Sequence, residues 1–348
     1  MKLWSSAANR WSRGAGIATA LVATLALPAC GQPRPVEPAG EIKLSTGLGP
    51  AYAQGRAGEV WAALIRERSA GRIAVKHYPG AMLAQREPAR EFPALRDGAI
   101  DLAVGSSLAW SAQVPALNLL ALPWLVPDDS VLETLLAGDT GKRLSASVDA
   151  AGVVPLLLSA NGLSALATKE AIHKPSDLGG LKIRVAASPI AADMLSALGA
   201  GSSSMGLADA RAAWASGALD GQETSVATYV NSRMDSVGLT HLLLWQARAD
   251  ALIFAVNRAR WEGWSEADRE LVRSAAQEAA RQARALAQQS DDSGTAARQG
   301  AVVSRLTPQG KAAFRAAAAS VYVTWTPVIG EDLVRDAQTE IAAAQGTR

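Results

Sequence analysis

The chain of 348 residues carries 34 basic and 32 acidic side chains, and its small positive excess comes from Lys2, Arg10 and Arg13 near the amino terminus. Beyond these residues the chain is close to neutral, which argues against nucleic acid or an anionic membrane surface as a partner. The single cysteine, Cys30, excludes an intramolecular disulfide. A chain of this length exceeds a typical single core, so we expect two lobes.

The first thirty residues have the pattern of an export signal. Their basic start is followed by an uncharged run at 14–29, which is too short to span a bilayer comfortably and suits a signal-peptide core. The run ends in Leu27-Pro28-Ala29-Cys30, which resembles a bacterial lipobox with an acylated cysteine. We therefore predict a signal peptide over 1–30, a lipid anchor at Cys30 and a proline-rich tether over 31–40. Cleavage as an ordinary secretory signal is the alternative, and it also exports the protein.

The remaining chain alternates between short strand patterns and longer helix patterns, which is typical of an α/β fold. We predict strands at 41–45, 72–76, 99–104, 153–158 and 181–185, and helices at 55–69, 88–96, 188–199, 265–289 and 310–326. Ser188 and Pro189 are typical of a helix start, with a side-chain cap followed by proline at the first helical position. Met194, Leu195 and Leu198 are spaced to form the buried stripe of that helix.

The sequence contains no recognisable catalytic, cofactor or metal signature. His77, His173 and His241 lack ligand spacing, and neither a G-x-S-x-G elbow nor a P-loop is present. Gly47-Leu48-Gly49 follows a strand as a dinucleotide loop would, but Tyr52 occupies the place of the third glycine. We therefore expect a protein that is not an enzyme and uses no cofactor or metal.

Arg184 is the most informative position for ligand binding. It shares the polar face of the strand at 181–185 with Lys182 and lies near the carboxyl end of that strand, where ligands of α/β sheets collect. A guanidinium matches a carboxylate with two parallel hydrogen bonds. Spacing alone leaves open whether Arg184 binds a ligand or faces solvent. The same ambiguity applies to the polar turn at 220–224, the loop at 105–107 and Trp110.

Five segments carry a family resemblance. They are SAGRIAV at 69–75, LRDGAID at 95–101, ALPW at 121–124, KPSDLGGLKIRV at 174–185 and GALDGQE at 217–223. In order and spacing they resemble the DctP-type solute-binding proteins of tripartite ATP-independent periplasmic (TRAP) transporters, from about Ile42 to the final helices.

The resemblance implies a two-lobe α/β fold of the periplasmic-binding-protein type, with a hinge, a ligand cleft between the lobes and a long bracing helix. We assign 41–161 with about 250–289 to lobe 1, and 162–249 with about 290–340 to lobe 2. The implied function is a periplasmic receptor, tethered through Cys30, that captures a small organic acid and delivers it to TRAP permease subunits in the membrane. A sensing protein that feeds a membrane receptor kinase is the alternative.

The resemblance also implies roles for individual residues. Arg184 matches the arginine that binds the ligand carboxylate, and Thr224 stands where the family commonly has an asparagine. Ser164, Ser106 and Ala109 replace charged residues of the sialic-acid-binding branch, so we expect a less charged pocket and a monocarboxylate ligand. The expected ligand contacts are Arg184, Thr224, Ser106, Ser107, Gln222, Trp110, Tyr52 and Ser164.

Overall fold

The structure is a computed structural model that describes residues 40–186, 188–290 and 293–346. The predicted signal peptide, the lipid-anchor residue Cys30 and the tether up to residue 39 lie outside the described residues.

The strands form two separate sheets. Strands β1 to β11 cover, in chain order, Ile42–Thr46, Val75–Pro79, Leu102–Ser106, Val153–Leu163, Ala165–Thr168, Lys182–Val185, Gly201–Ser204, Gly221–Thr224, His241–Leu244, Ala249–Asn257 and Val302–Arg305. The first sheet has the order β2-β1-β3-β10-β4, and the second has the order β11-β9-β5-β8-β6-β7. Strand β10 runs antiparallel to β3 and β4, and β5 runs antiparallel to β8 and β9.

Helices cover both sheets. Helices α1 to α14 cover Ala53–Arg68, Glu91–Arg96, Ser107–Trp110, Asp129–Ala137, Asp139–Ala150, Pro189–Ala197, Leu207–Ala215, Val226–Asn231, Arg258–Glu262, Glu266–Ser290, Ser293–Arg298, Pro308–Ala317, Ala319–Ile329 and Glu331–Gly346. Short 3₁₀ helices lie at Met82–Ala84, Pro88–Arg90, Pro115–Ala121, Pro175–Leu178 and Met234–Val237. The predicted α/β fold with a long helix is confirmed, and the structure adds that its strands form two sheets.

The long helix α10 packs through small side chains. Ala275, Ala276 and Ala279 are fully buried, which lets α10 lie close against α1 of the first sheet. The indole of Trp61 on α1 donates to the backbone oxygen of Val272 at 3.0 Å and fixes the two helices together. Helix α10 also contacts α8, which lies between strands β8 and β9 of the second sheet.

Several predicted elements have different bounds in the structure, and two of them are described here. The strand predicted at 72–76 begins only at Val75, since the preceding residues still cap α1: Gly71 N–H donates to Arg66 at 2.8 Å, and Ile73 N–H donates to Ser69 Oγ at 3.1 Å. The helix predicted at 310–326 is two helices, α12 and α13, which meet at Ala318.

Among the described strands the chain crosses between the sheets three times, and two of these crossing segments are bonded to each other. Ser164 joins β4 to β5, and the segment 245–248 joins β9 to β10. Ser164 N–H donates to the carbonyl of Arg248 at 2.8 Å, Gln246 N–H donates to the carbonyl of Ser164 at 3.0 Å, and Arg248 N–H donates to Ser164 Oγ at 3.0 Å. This paired crossing brings the ends of both sheets to one place.

The lobe boundaries remain a proposal. The final helix α14 packs against α4 and α5, which precede β4 in the chain assigned to lobe 1, although we assigned 290–340 to lobe 2.

Candidate ligand-binding site

A cavity of about 150 Å³ lies beside the crossing segments, and we call it the central cavity. The first sheet lines it through Ser106 at the end of β3, Gly162 at the end of β4 and Asp250 at the start of β10. The second sheet lines it through Arg184 on β6 and residues 222–224 on β8. The carboxyl ends of parallel strands in both sheets therefore meet at the cavity, which is where α/β folds bind ligands.

Arg184 lines the central cavity as a cation that has no carboxylate partner in the part of the chain that the structure describes. Its Nε and Nη2 groups donate to the carbonyl of Met205 at 2.9 and 2.6 Å, which holds the guanidinium in place. Among the ion pairs and hydrogen bonds of the described residues, none involves Nη1 of Arg184. Burial lowers the pKa of Arg184 to about 10, so the side chain is still protonated at neutral pH. The guanidinium is thus charged, oriented and available to an anion.

Gln222 lies beside Arg184 because the parallel strands β6 and β8 place these two residues in register. The Gln222 side chain is 1% exposed, and its Oε1 atom has no hydrogen-bond partner among the described residues. A buried oxygen without a partner is rare because it forfeits the hydrogen bonds it had to water. Gln222 is therefore a candidate acceptor for a ligand hydroxyl. Thr224, which also lines the central cavity, donates from Oγ1 to the carbonyl of Ser225 at 3.3 Å.

A second arginine, Arg248, reaches the same cavity but is paired with Glu223. Nε of Arg248 lies 2.9 Å from Oε1 of Glu223, and Nη2 donates to the other carboxylate oxygen. Both side chains are only 2% exposed. Nη1 of Arg248 also donates to Ser188 Oγ at 3.3 Å, so this hydroxyl does not cap α6 as its sequence position predicted. The pair is neutral as a unit.

Asp250 connects the residues that line the cavity from the first sheet. Its carboxylate accepts hydrogen bonds of 2.8 Å each from Ser106 Oγ, Ser107 Oγ and Asn161 Nδ2. Ser106 Oγ in turn accepts from Leu108 N–H at 3.2 Å at the start of α3. The loop after β3 is thus tied to β4 and β10 by one carboxylate.

Five of the residues predicted to contact ligand line the central cavity. They are Arg184, Gln222, Thr224, Ser106 and Ser164. Tyr52 lines two neighbouring cavities instead, and its hydroxyl lies 3.0 Å from Ser232 Oγ at the end of α8. Next to it, Asn231 Nδ2 donates to the carbonyl of Ala51 at 2.9 Å. These contacts join the start of α1 to the end of α8 beside the cavity.

Two predicted contacts, Ser107 and Trp110, do not line the central cavity because both are completely buried. Ser107 Oγ donates to Asp250 and accepts from Ala251 N–H at 3.0 Å. It therefore holds Asp250 in place without lining the cavity itself. The Trp110 ring packs edge-to-face on Phe92 at 5.2 Å and fills the space beside Gly105, where an added Cβ would meet the ring at 2.0 Å.

Arg248 and Asp250 line the central cavity although they are not among the contacts predicted from the sequence. The available signal was their spacing, since two charged residues at i and i+2 interrupt a long apolar stretch from β9 to β10. Alternation places such residues on one face of an extended chain. Nothing in the local sequence identifies their partners.

Among the described residues, no helix has both the length and the apolar character needed to cross a membrane. Within those same ranges, no cluster of three or more histidine, cysteine, aspartate or glutamate side chains is placed to hold a metal ion.

Comparison with known proteins gives consistent matches. Residues 44–326 match the model of the family DctP, bacterial extracellular solute-binding protein, family 7. An uncharacterised protein of Sinorhizobium fredii, y4mM, is 31% identical over 292 residues, which cover 83% of this chain and 53% of that protein.

Solved structures show the same likeness. A TRAP periplasmic solute-binding protein from Ralstonia eutropha H16, with bound (S)-2-acetolactate, is 44% identical with a TM-score of 0.84, covering 87% of this chain and 99% of its own. A TRAP periplasmic solute-binding protein from Sulfurospirillum deleyianum with bound succinate is 25% identical with a TM-score of 0.78, covering 86% and 98%.

The predicted family is therefore confirmed by the family model and by solved structures. Its members are transport receptors rather than enzymes. Solved relatives hold small organic acids such as glucuronate and succinate, and the family implies a periplasmic location and TRAP membrane subunits as partners. The chain belongs to the family 7 bacterial extracellular solute-binding proteins and is a DctP-type receptor of the TRAP class.

Proposed function

We propose that this protein captures a small monocarboxylic acid bearing a hydroxyl or oxo group beside its carboxylate, and delivers it to a TRAP permease for uptake. One observation carries the proposal. Of the two arginines that line the central cavity, Arg184 has no carboxylate partner among the described residues, whereas Arg248 is neutralised by Glu223. One available guanidinium suits one ligand carboxylate.

The size and lining of the cavity support a small ligand. A volume of about 150 Å³ is comparable to cavities that hold benzene-sized molecules. Leu48, Leu108, Leu163 and Leu207 supply apolar wall, and Gln222 supplies an acceptor for a hydroxyl. The relative that is 44% identical was solved with (S)-2-acetolactate, which combines one carboxylate, one hydroxyl and a methyl branch. This acid is therefore the first ligand to test.

The proposed mechanism is capture without chemistry. A ligand carboxylate bound to Arg184 lies between the walls from the two sheets, and closure around it excludes water and strengthens the ion pair. The ligand shifts the open–closed equilibrium by its higher affinity for the closed form. We further propose that Cys30 is acylated and keeps the receptor at the membrane surface.

Calorimetry on the mature protein tests the function. The panel contains (S)-2-acetolactate, lactate, pyruvate, 2-hydroxyisobutyrate, succinate and sialic acid, and we expect binding of one or more of the four monocarboxylic acids of few carbons. Arg184→Ala should weaken that binding by about 2–5 kcal/mol, because a buried charged contact is lost. Arg281→Ala, which removes an exposed arginine paired with Glu278 on α10, is the matched control and should bind like the parent.

Equal affinity of Arg184→Ala and the parent would contradict the role of Arg184. Saturable binding of sialic acid alone would contradict the ligand class. Recovery of the ligand unchanged after prolonged incubation is expected of a receptor, and any turnover would contradict capture without chemistry.

A further inference from the structure

Asp250 lines the central cavity and forms no ion pair with any cation of the described residues. It lines the central cavity at the start of β10, in the first sheet, whereas Arg184 lines the cavity from β6 in the second sheet. The two residues therefore approach the cavity from different sheets.

The hydrogen bonds of Asp250 solvate its charge but do not cancel it. Its donors are the hydroxyls of Ser106 and Ser107, the amide of Asn161 and the N–H of Leu108, all of them neutral groups. None of the ion pairs formed by described residues includes Asp250. The carboxylate of Asp250 therefore lies at the wall of the cavity with neutral hydrogen-bond donors and no counter-charge among the described residues.

The charges that line the cavity decide which ligand charge fits. Arg248 and Glu223 neutralise each other, which leaves Arg184 as the cation and Asp250 as the anion. One ligand carboxylate pairs with Arg184. A second carboxylate within the same small volume has no available cation and is repelled by Asp250 at short range in a partly desolvated site.

We propose that Asp250 determines specificity by excluding dicarboxylates from the central cavity, so that acids with a single carboxylate are selected. This inference rests on the proposed function, because it assumes that Arg184 binds the carboxylate of a small acid. In this proposal the Asp250 carboxylate rejects dicarboxylates, in addition to its hydrogen bonds with Ser106 and Asn161.

A pair of ligands tests the inference on the unaltered mature chain. Succinate and its monomethyl ester have the same backbone and differ by one negative charge. In calorimetry the parent should bind monomethyl succinate at least about ten-fold more tightly than succinate, because only succinate places a second charge near Asp250. If succinate and monomethyl succinate bind with equal affinity, or if neither binds, the second charge is not what excludes succinate. Either result would overturn the inference.

The variant Asp250→Asn provides the second test. The amide is isosteric with the carboxylate and retains one acceptor oxygen, so a folded variant should gain at least about ten-fold in succinate affinity while it still binds the monocarboxylate of the parent. Ser107→Ala is the matched control for the wall, since it removes one hydrogen bond to Asp250 but leaves the Asp250 carboxylate in place. This variant should not gain affinity for succinate. Asp149→Asn makes the same chemical change at a surface ion pair with Arg258 and should change nothing.

The outcomes separate the two proposals. If the parent binds none of the small monocarboxylates, the proposed function fails. If the parent binds one of them and a folded Asp250→Asn binds it too, but the preference against succinate is unchanged, the proposed function stands and the role of Asp250 is overturned. Admission of succinate by Ser107→Ala would also overturn that role, because a loosened wall rather than a lost charge would then explain the gain.

Discussion

Arg248 and Glu223 form a buried ion pair in the wall of the central cavity, with Nε of Arg248 2.9 Å from Oε1 of Glu223. The pair joins the crossing segment before β10 to strand β8 of the second sheet. In the proposed function this pairing prevents the second guanidinium from attracting a second ligand carboxylate. Burial of two charges is tolerated here because further hydrogen bonds, such as that from Arg248 to Ser188, satisfy the guanidinium.

Breaking this pair should destabilise the fold more than removing it whole. We expect Glu223→Gln to lower the free energy of unfolding by about 3–5 kcal/mol, because it leaves Arg248 charged and buried. Replacing both residues with methionine should cost less than Glu223→Gln alone. Urea unfolding measures both effects. Glu278→Gln, at an exposed pair with Arg281, is the control; a stability of Glu223→Gln equal to that of the control would contradict the prediction.

The contact between Tyr52 and Ser232 should contribute to ligand affinity through closure. Tyr52→Phe removes a hydrogen bond that joins the start of α1 to the end of α8, at a cost of about 0.5–1.5 kcal/mol. The Kd for the ligand should therefore rise by roughly two- to ten-fold. Calorimetry on Tyr52→Phe, Ser232→Ala and the double variant should give the same loss in all three, as expected for one shared contact. Tyr78→Phe, on the edge strand β2, serves as the control; additive losses would instead indicate direct ligand contact by Tyr52.

Glu91 should make stability depend on pH. The residue is 1% exposed with one hydrogen bond, from Ser45 Oγ, and burial raises its pKa from 4.5 to about 8. Between these values the folded state holds a proton that the unfolded chain has lost, so stability falls as pH rises. We expect this group alone to contribute a loss of up to about 1.4 kcal/mol per pH unit in this interval.

Glu91→Gln should flatten that dependence, because the amide cannot ionise and still accepts from Ser45. Urea unfolding between pH 5 and 8 compares the two slopes. An identical slope in the parent and in Glu91→Gln would exclude Glu91 as the source of the dependence.

Cys30 should determine whether the receptor stays with the membrane fraction. Cys30→Ala should release the protein into the periplasmic fraction after expression with its own signal, because the acyl chains that hold it are lost. Immunoblots of washed membranes and soluble fractions measure the change, and mass spectrometry of the parent should detect the acylated cysteine. A parent found entirely in the soluble fraction would favour ordinary signal cleavage.

Local patterns in the sequence were sufficient for the class of fold and for the position of Arg184 on its strand. The stripe of Met194, Leu195 and Leu198 on α6 is buried as its spacing predicts, because helix periodicity alone decides which face is apolar. Strand alternation placed Arg184 on the polar face of β6, and its register with Gln222 brings both to the cavity. The buried stripe and the strand alternation depend on residues within a few positions of one another, whereas the register with Gln222 depends on the pairing of two separate strands.

Only the tertiary structure decided how the charges of the site are paired. Arg248 meets Glu223 from 25 residues away, and Asp250 meets Ser106 from 144 residues away, so no local pattern could identify either partner. Another long-range contact, from Arg248, engages the hydroxyl of Ser188, which therefore does not cap α6. The sequence by itself determined the position of Arg184 on its strand. The folded chain determined that its guanidinium remains available to a ligand, because electrostatic pairing depends on distance in space and not along the chain.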